Sequence, residues 1–188
     1  STGVDLLSLS AHKFGGPTGV GLLFVAPGIR LDPIIHGGGH EAGLRSGTSN
    51  VAGVAGMVAA MEATASQRDR FRKVAGAERA AFEATLFDRL NDVELTAYGS
   101  PRMAHFSHVR FCGVSSESLL IRLDQGAIAA AAGSSCQSGA IDPSHVLRAM
   151  GMPEQAMAEC VRFTFGWDVE DGDGQRFGNA VADVVEAM

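Results

Sequence analysis

The chain has 188 residues, 46% of them hydrophobic, and a formal net charge of −6, which suits a globular protein of one large domain or two small ones with a substantial core. No apolar run is long enough to span a bilayer and no basic segment followed by a hydrophobic one opens the chain, so we expect a cytoplasmic protein with no membrane partner. The acidic balance argues against nucleic acid, because only "RDRFRK" at 68–73 approaches a basic cluster and it reads as a solvated helix face.

The first residues, "STGVDLLSLS", lack an initiator Met and enter an apolar run at once, which predicts a piece of a larger domain whose first strand is buried. Asp5 to Leu9 and Val20 to Val25 read as strands, with Gly15, Gly16, Pro17 and Gly19 forming an irregular turn between them. Next comes the Gly-rich loop "IIHGGGHEAGLRSGTSN". Asn50 then opens a helical stretch whose apolar face is Val51, Val54, Ala55, Val58 and Met61, continued by Phe71, Val74, Phe82, Leu86 and Leu90. It is either one long helix or two broken near Gly76. Further on, Ala104 to Phe111 reads as a strand, Ser116 to Asp124 as a helix capped by Ser115 or Ser116, and Ile128 to Ala132 as a buried strand. Pro143 to Met150 reads as a helix entered through Asp142, Cys160 to Phe165 as a last strand, and Gln175 to Ala187 as a last helix. Interleaved strands and helices over 98–188 predict α/β or α+β packing.

Chemistry concentrates in three places. In "SLSAHKFGGPTGVG" a Lys stands beside an imidazole and a hydroxyl on a glycine-rich corner. Two readings fit: a surface Lys in a turn, or an amine placed to form an imine with a carbonyl cofactor such as pyridoxal phosphate (PLP), with Ser10 and His12 at its phosphate. A nucleotide loop fits less well, because the order G-x-x-x-x-G-K-S/T is missing and no helix follows. Thr48 is either an N-cap hydroxyl or, with Ser46 and Gly47, part of an anion site before a helix. His36 and His40 flank three glycines without thiol or carboxylate support, so we expect loop-shaping residues and no metal.

The three cysteines, Cys112, Cys136 and Cys160, are widely spaced, which disfavours a disulfide framework or structural zinc. Cys136 lies among small residues in "AAGSSCQSGA", where a mobile loop could carry a thiolate, whereas Cys160 precedes "VRFTFG" as a buried structural Cys would. By pattern alone, a free thiol without a role is the favoured reading for each of the three.

Three long segments, "SLSAHKFGGPTGVGLLFV", "HGGGHEAGLRSGTSNVAG" and "GSSCQSGAIDPSHVLRAMG", in that order, resemble the cysteine desulfurases of the class V aminotransferase group, and "CVRFTFG" extends the match. The resemblance implies an α/β fold, the C-terminal part of a PLP-dependent transferase of fold type I. It comprises the end of the large-domain sheet in 1–49, a linking helical segment in 50–94, and a small α+β C-terminal domain with the catalytic-Cys loop in 95–188. It further implies that Lys13 binds PLP covalently and that Ser10 and His12 hold its phosphate. Thr48 would reach the phosphate of a neighbouring subunit's cofactor, hence a homodimer, and Arg162 would bind the substrate carboxylate with its planar fork. Cys136 would take sulfur from L-cysteine, leaving alanine, and pass it to a sulfur-acceptor or scaffold protein in iron-sulfur cluster or thiolated-cofactor assembly. The loop around Cys136 resembles the long, flexible form of the family.

The family is roughly twice as long as this chain, and its other half supplies the ring-stacking group and the Asp at the pyridine nitrogen. The isolated chain is therefore expected to bind PLP weakly and not to turn over. Thr18 stands where many relatives have Lys, Ala42 where Arg is frequent, and "FGWDVEDGDG" where relatives usually cap the last helix with a polar residue. Two alternatives are a selenocysteine lyase or other class V PLP enzyme, which would keep Lys13 and Arg162, and an inactive truncated domain acting only in folding or dimerisation.

Overall fold

The computed structural model describes residues 3–133 and 144–188. The chain divides into two compact units, Ser1–Arg68 and Asp69–Met188. Among the described residues no helix is long and apolar enough to cross a membrane.

In the first unit, β1 (Leu6–Ser10) and β2 (Gly21–Val25) pair antiparallel, with Leu6 opposite Val25 and Ser10 opposite Gly21. The strand, turn, strand reading is therefore met. Glycine is required where β2 begins, because a Cβ on Gly21 would lie 2.7 Å from the Leu9 carbonyl oxygen. The expectation of a buried first strand is not met. Leu6, Leu7, Leu22, Leu23 and Phe24 are all exposed, because a two-stranded ribbon has no second layer against which its apolar side chains can pack.

The next element, α1 (Val51–Arg89), is one unbroken helix of 39 residues. Asn50 caps it, its Oδ1 accepting from the Gly53 N–H at 3.0 Å. Gly76 does not break it: a helical glycine costs about 1 kcal/mol relative to alanine, and the Ala, Glu and Arg residues on either side are strong helix formers. Val51, Val54, Val58 and Met61 near its start are exposed, whereas Phe82 and Leu86 near its end are fully buried.

The second unit is an α+β layer. Its sheet contains β3 (Val93–Leu95), β4 (Phe106–Phe111) and β5 (Cys160–Thr164), all antiparallel in the order β3-β4-β5. The helices are α2 (Ser116–Gln125), α3 (His145–Ala149), α4 (Glu154–Met157) and α5 (Asp173–Glu186). Strand alternation separates the two faces of the sheet. Val109 and Phe111 of β4, with Val161 and Phe163 of β5, enter a core completed by Phe82 and Leu86 of α1, Leu119 and Leu123 of α2, and Val181 of α5. Phe82 lies 4.9 Å from Phe163 between ring centroids, and each such side chain stabilises the unit by roughly 1.5–3 kcal/mol on burial. Ser107, fully buried on the same face, is satisfied by donating to Glu83 Oε1 at 2.8 Å, and Arg102 closes a two-pronged pair on that carboxylate at 3.0 and 3.2 Å.

Three boundaries differ from the sequence reading. Ile128–Ala132 is not a strand. The Ala127 and Ile128 N–H groups donate back to Asp124 and Leu123 at the end of α2, and only Ala131 forms a bridge, exchanging two hydrogen bonds with Arg162. The predicted helix entry at Asp142 and Pro143 lies outside the described residues, and α3 begins at His145 with the Ser144 hydroxyl accepting from Leu147 N–H at 3.4 Å. The last helix starts at Asp173, two residues before Gln175.

Candidate active site

Beyond Ser10 the chain makes one 3-10 turn, Ala11–Phe14, so Ser10, His12 and Lys13 share a single corner at the end of β1. The corner is fixed from beneath. Ala11 is fully buried, its N–H donates to the Val20 carbonyl at 3.1 Å, and its own carbonyl accepts from Gly16 N–H at 2.9 Å. A Cβ on Gly16 would come within 2.9 Å of the Ala11 Cβ, so this close return needs glycine. Thr64 of α1 adds a hydrogen bond from its hydroxyl to the Phe14 carbonyl at 3.3 Å. Above this base Ser10, His12 and Lys13 are exposed, and the Ser10 side chain makes no capping bond to the turn. A hydroxyl, an imidazole and a primary amine on a braced corner are the donor set that a phosphate ester and an aldehyde need, so the residues present fit PLP chemically.

The Gly-rich loop is closed on itself. Ser46, nearly fully buried, donates from its hydroxyl to the Gly38 carbonyl at 2.7 Å and from its N–H to the Ile35 carbonyl at 3.2 Å. Glu41 and Ala42 hold φ of 52 and 55, a left-handed conformation that costs non-glycine residues about 1 kcal/mol or more. Thr48 is exposed two residues before the helix cap. Since Asn50 is the residue that caps α1, Thr48 is not the N-cap, and its hydroxyl has no helix-capping duty. His36 and His40 are exposed in the same loop, and among the described residues no three His, Cys, Asp or Glu side chains cluster as a metal site.

Arg162 belongs to the second unit, at the centre of β5 on the face of the sheet turned away from the core. Register gives it two strand-like neighbours, His108 of β4 and Ala131. Its guanidinium carbon lies over the Phe106 ring at 6.0 Å from the centroid, a cation–π arrangement. One pair further along the same face, Arg110 donates from Nε to Glu159 Oε2 at 2.7 Å and from Nη1 to Glu94 Oε2 at 2.9 Å. That pairing holds Glu159 below the usual carboxylate range, with the Gly113 N–H assisting at 3.1 Å.

Cys136 lies outside the described residues. Of the other two thiols, Cys160 is buried, donates to the Ala156 carbonyl at 3.2 Å, and is pushed up to about 11 by burial. Burial also raises the partly buried Cys112, against the opposing pull of Arg110. Neither favours a thiolate at neutral pH.

Two residues with notable partners escape sequence reasoning. Glu78 of α1 accepts from the N–H groups of Gly172 at 3.1 Å and Gly174 at 2.7 Å and so caps α5 from another helix. His108 becomes Arg162's neighbour only through strand register.

The class-V aminotransferase family model matches residues 1–177. A cysteine desulfurase of Gluconacetobacter diazotrophicus is 36% identical over 98% of this chain and 46% of its own length. A cysteine desulfurase IscS of Dictyoglomus turgidum is 40% identical over 87% of the chain and 42% of its own. The chain thus spans about half the length of the curated relatives it matches. Among solved structures, a NifS-like protein superposes with a TM-score of 0.85 at 27% identity, covering 99% of this chain and 47% of that one. The fold is therefore that of the corresponding part of a fold type I enzyme, and the chain belongs to the aminotransferase class-V family.

Proposed function

We propose that this chain carries the lysine, thiol and carboxylate-binding parts of a cysteine desulfurase, which takes sulfur from L-cysteine, releases L-alanine and holds the sulfur as a persulfide for a sulfur-acceptor or scaffold protein. The observation that carries this reading is the braced corner at the end of β1, where Lys13 stands exposed beside Ser10 and His12. Ser10 and His12 would hold the phosphate of PLP, and the Lys13 amine would hold its aldehyde carbon. Bound PLP supplies an electron sink beside the substrate Cα. Arg162 would grip the substrate carboxylate through two parallel hydrogen bonds, and the Lys13 amine, once the substrate's own amine has displaced it, would take the Cα proton. The Cys136 thiolate attacks the substrate sulfur, the carbon–sulfur bond breaks, and the carbon fragment is protonated to alanine. Thr48 reaches the cofactor phosphate of a second subunit, so the working form is a homodimer, cytoplasmic in location. In this reading 1–49 closes the large domain, 50–94 links, and 95–188 delivers Cys136 and Arg162.

The test is to incubate the protein with PLP, reduce with borohydride and map the modified peptide by mass spectrometry. Label is expected on Lys13 and is lost in Lys13→Ala, and Cys136→Ser is expected to retain it. Labelling unaffected by Lys13→Ala would defeat the assignment.

A further inference from the structure

His108 stands directly opposite Arg162 in the antiparallel register of β4 and β5. Opposed residues in such a pair carry their Cβ atoms on one face, about 5 Å apart. On the other side of His108, just beyond β3, Thr96 donates from its N–H to the His108 carbonyl at 3.0 Å, and its hydroxyl lies 2.8 Å from His108 Nδ1. The half-buried imidazole is thereby tied at Nδ1. Two residues earlier on the same face, Phe106 takes the Arg162 guanidinium over its ring.

We propose that His108 is a positioning residue of the carboxylate site centred on Arg162, and that capture of a carboxylate there draws a proton onto His108. The proposal rests on the reading of Arg162 as the carboxylate-binding residue. A guanidinium beside an imidazole opposes a second positive charge, and a carboxylate on that guanidinium cancels the opposing field. Linkage makes the effect reciprocal, so a carboxylate binds more tightly as pH falls through the His108 titration.

The surroundings support this. Burial first, and the Arg162 charge second, hold His108 below the usual histidine value, so it is neutral at neutral pH. From β5 the other titratable neighbour is Cys160, whose raised thiol stays uncharged over this range. From β3 comes Glu94, and along β4 Arg110, but these two charges pair with each other and with Glu159. His105 packs its ring 4.2 Å from Phe106 and is itself lowered by burial, so it titrates as a separate resonance.

The experiment is an NMR titration of the histidine ring protons of the purified chain, with and without L-alanine as the carboxylate probe, from about pH 8 to about pH 5. Alanine is expected to raise the His108 midpoint in the wild type, and its affinity to rise about fivefold across that range. The ligand-dependent shift is expected to vanish in Arg162→Gln, and the affinity profile to flatten in His108→Asn, with thermal melts confirming that both variants fold. The wild-type measurement stands without either variant. Alanine binding that requires Arg162 but leaves the His108 midpoint unmoved overturns this proposal and spares the carboxylate reading. Binding that is indifferent to Arg162→Gln, or no binding at all, overturns both.

Discussion

Glu78 caps a helix whose N-cap residue, Gly172, lies 94 residues further along the chain. The segment before α5, "FGWDVEDGDG", places Gly172 at the cap position, and a glycine has no side chain with which to satisfy the first N–H groups. The Glu78 carboxylate, almost fully buried, accepts two of them and sits at the positive end of the helix dipole. Glu78→Ala is expected to lower unfolding free energy by about 3 kcal/mol, since each of its two hydrogen bonds to a charged group is worth about 1.5 kcal/mol or more. Both bonds fall on Oε2, so Glu78→Gln, whose amide oxygen accepts both without the charge, is expected to lose about half as much. Urea denaturation reads both, and equal losses would mean that packing matters here and the charge does not. The corner of Lys13 is legible in the sequence because glycine and proline mark it locally. Glu78 and His108 are not legible, because their roles depend on partners brought close only by tertiary packing or by strand register.

At the scale of elements, periodicity carries far. The long helix, the β1–β2 hairpin, β4, α2 and β5 follow from their apolar spacing, since each is long enough to show its period. β3 and α4, of three and four residues, are too short to carry a period, and neither is foreseen. Ile128–Ala132 is apolar enough to suggest a strand, but its first backbone donors are spent on closing α2. The crossing of α5 on α1 also depends on sequence detail that hydropathy does not reveal. A Cβ on Gly178 would lie 2.7 Å from the Thr85 Cβ and 3.2 Å from the Phe82 carbonyl oxygen. Gly178→Ala therefore gains helix propensity yet forces the two helices apart, and we expect a net destabilisation of about 1–3 kcal/mol, as for other overpacked contacts. A raised melting temperature for this variant would show that the crossing can relax without cost.

Across the whole molecule the two units differ in how they hold their strands. In the second, β4 lies between two partners, with fully buried Val109 on its inner face. In the first, among the described residues, β1 and β2 pair only with one another and keep most of their side chains exposed. Amides of β4 and β5 are accordingly expected to exchange with solvent on the order of a hundredfold more slowly than those of β1 and β2, because local opening is cheapest where least apolar surface is buried. Equal exchange rates in hydrogen–deuterium mass spectrometry would contradict that ordering. The Lys13 corner thus belongs to the unit expected to open more easily, and Arg162 to the one expected to be firmer.

The ribbon itself sets a practical limit on handling the chain. Among the described residues, oily side chains on both faces and a backbone edge unpaired along each strand make β1–β2 a template on which further strands can stack. Concentrated solutions should therefore cloud first through this hairpin, sooner in sulfate or phosphate buffers, which strengthen the burial of apolar surface.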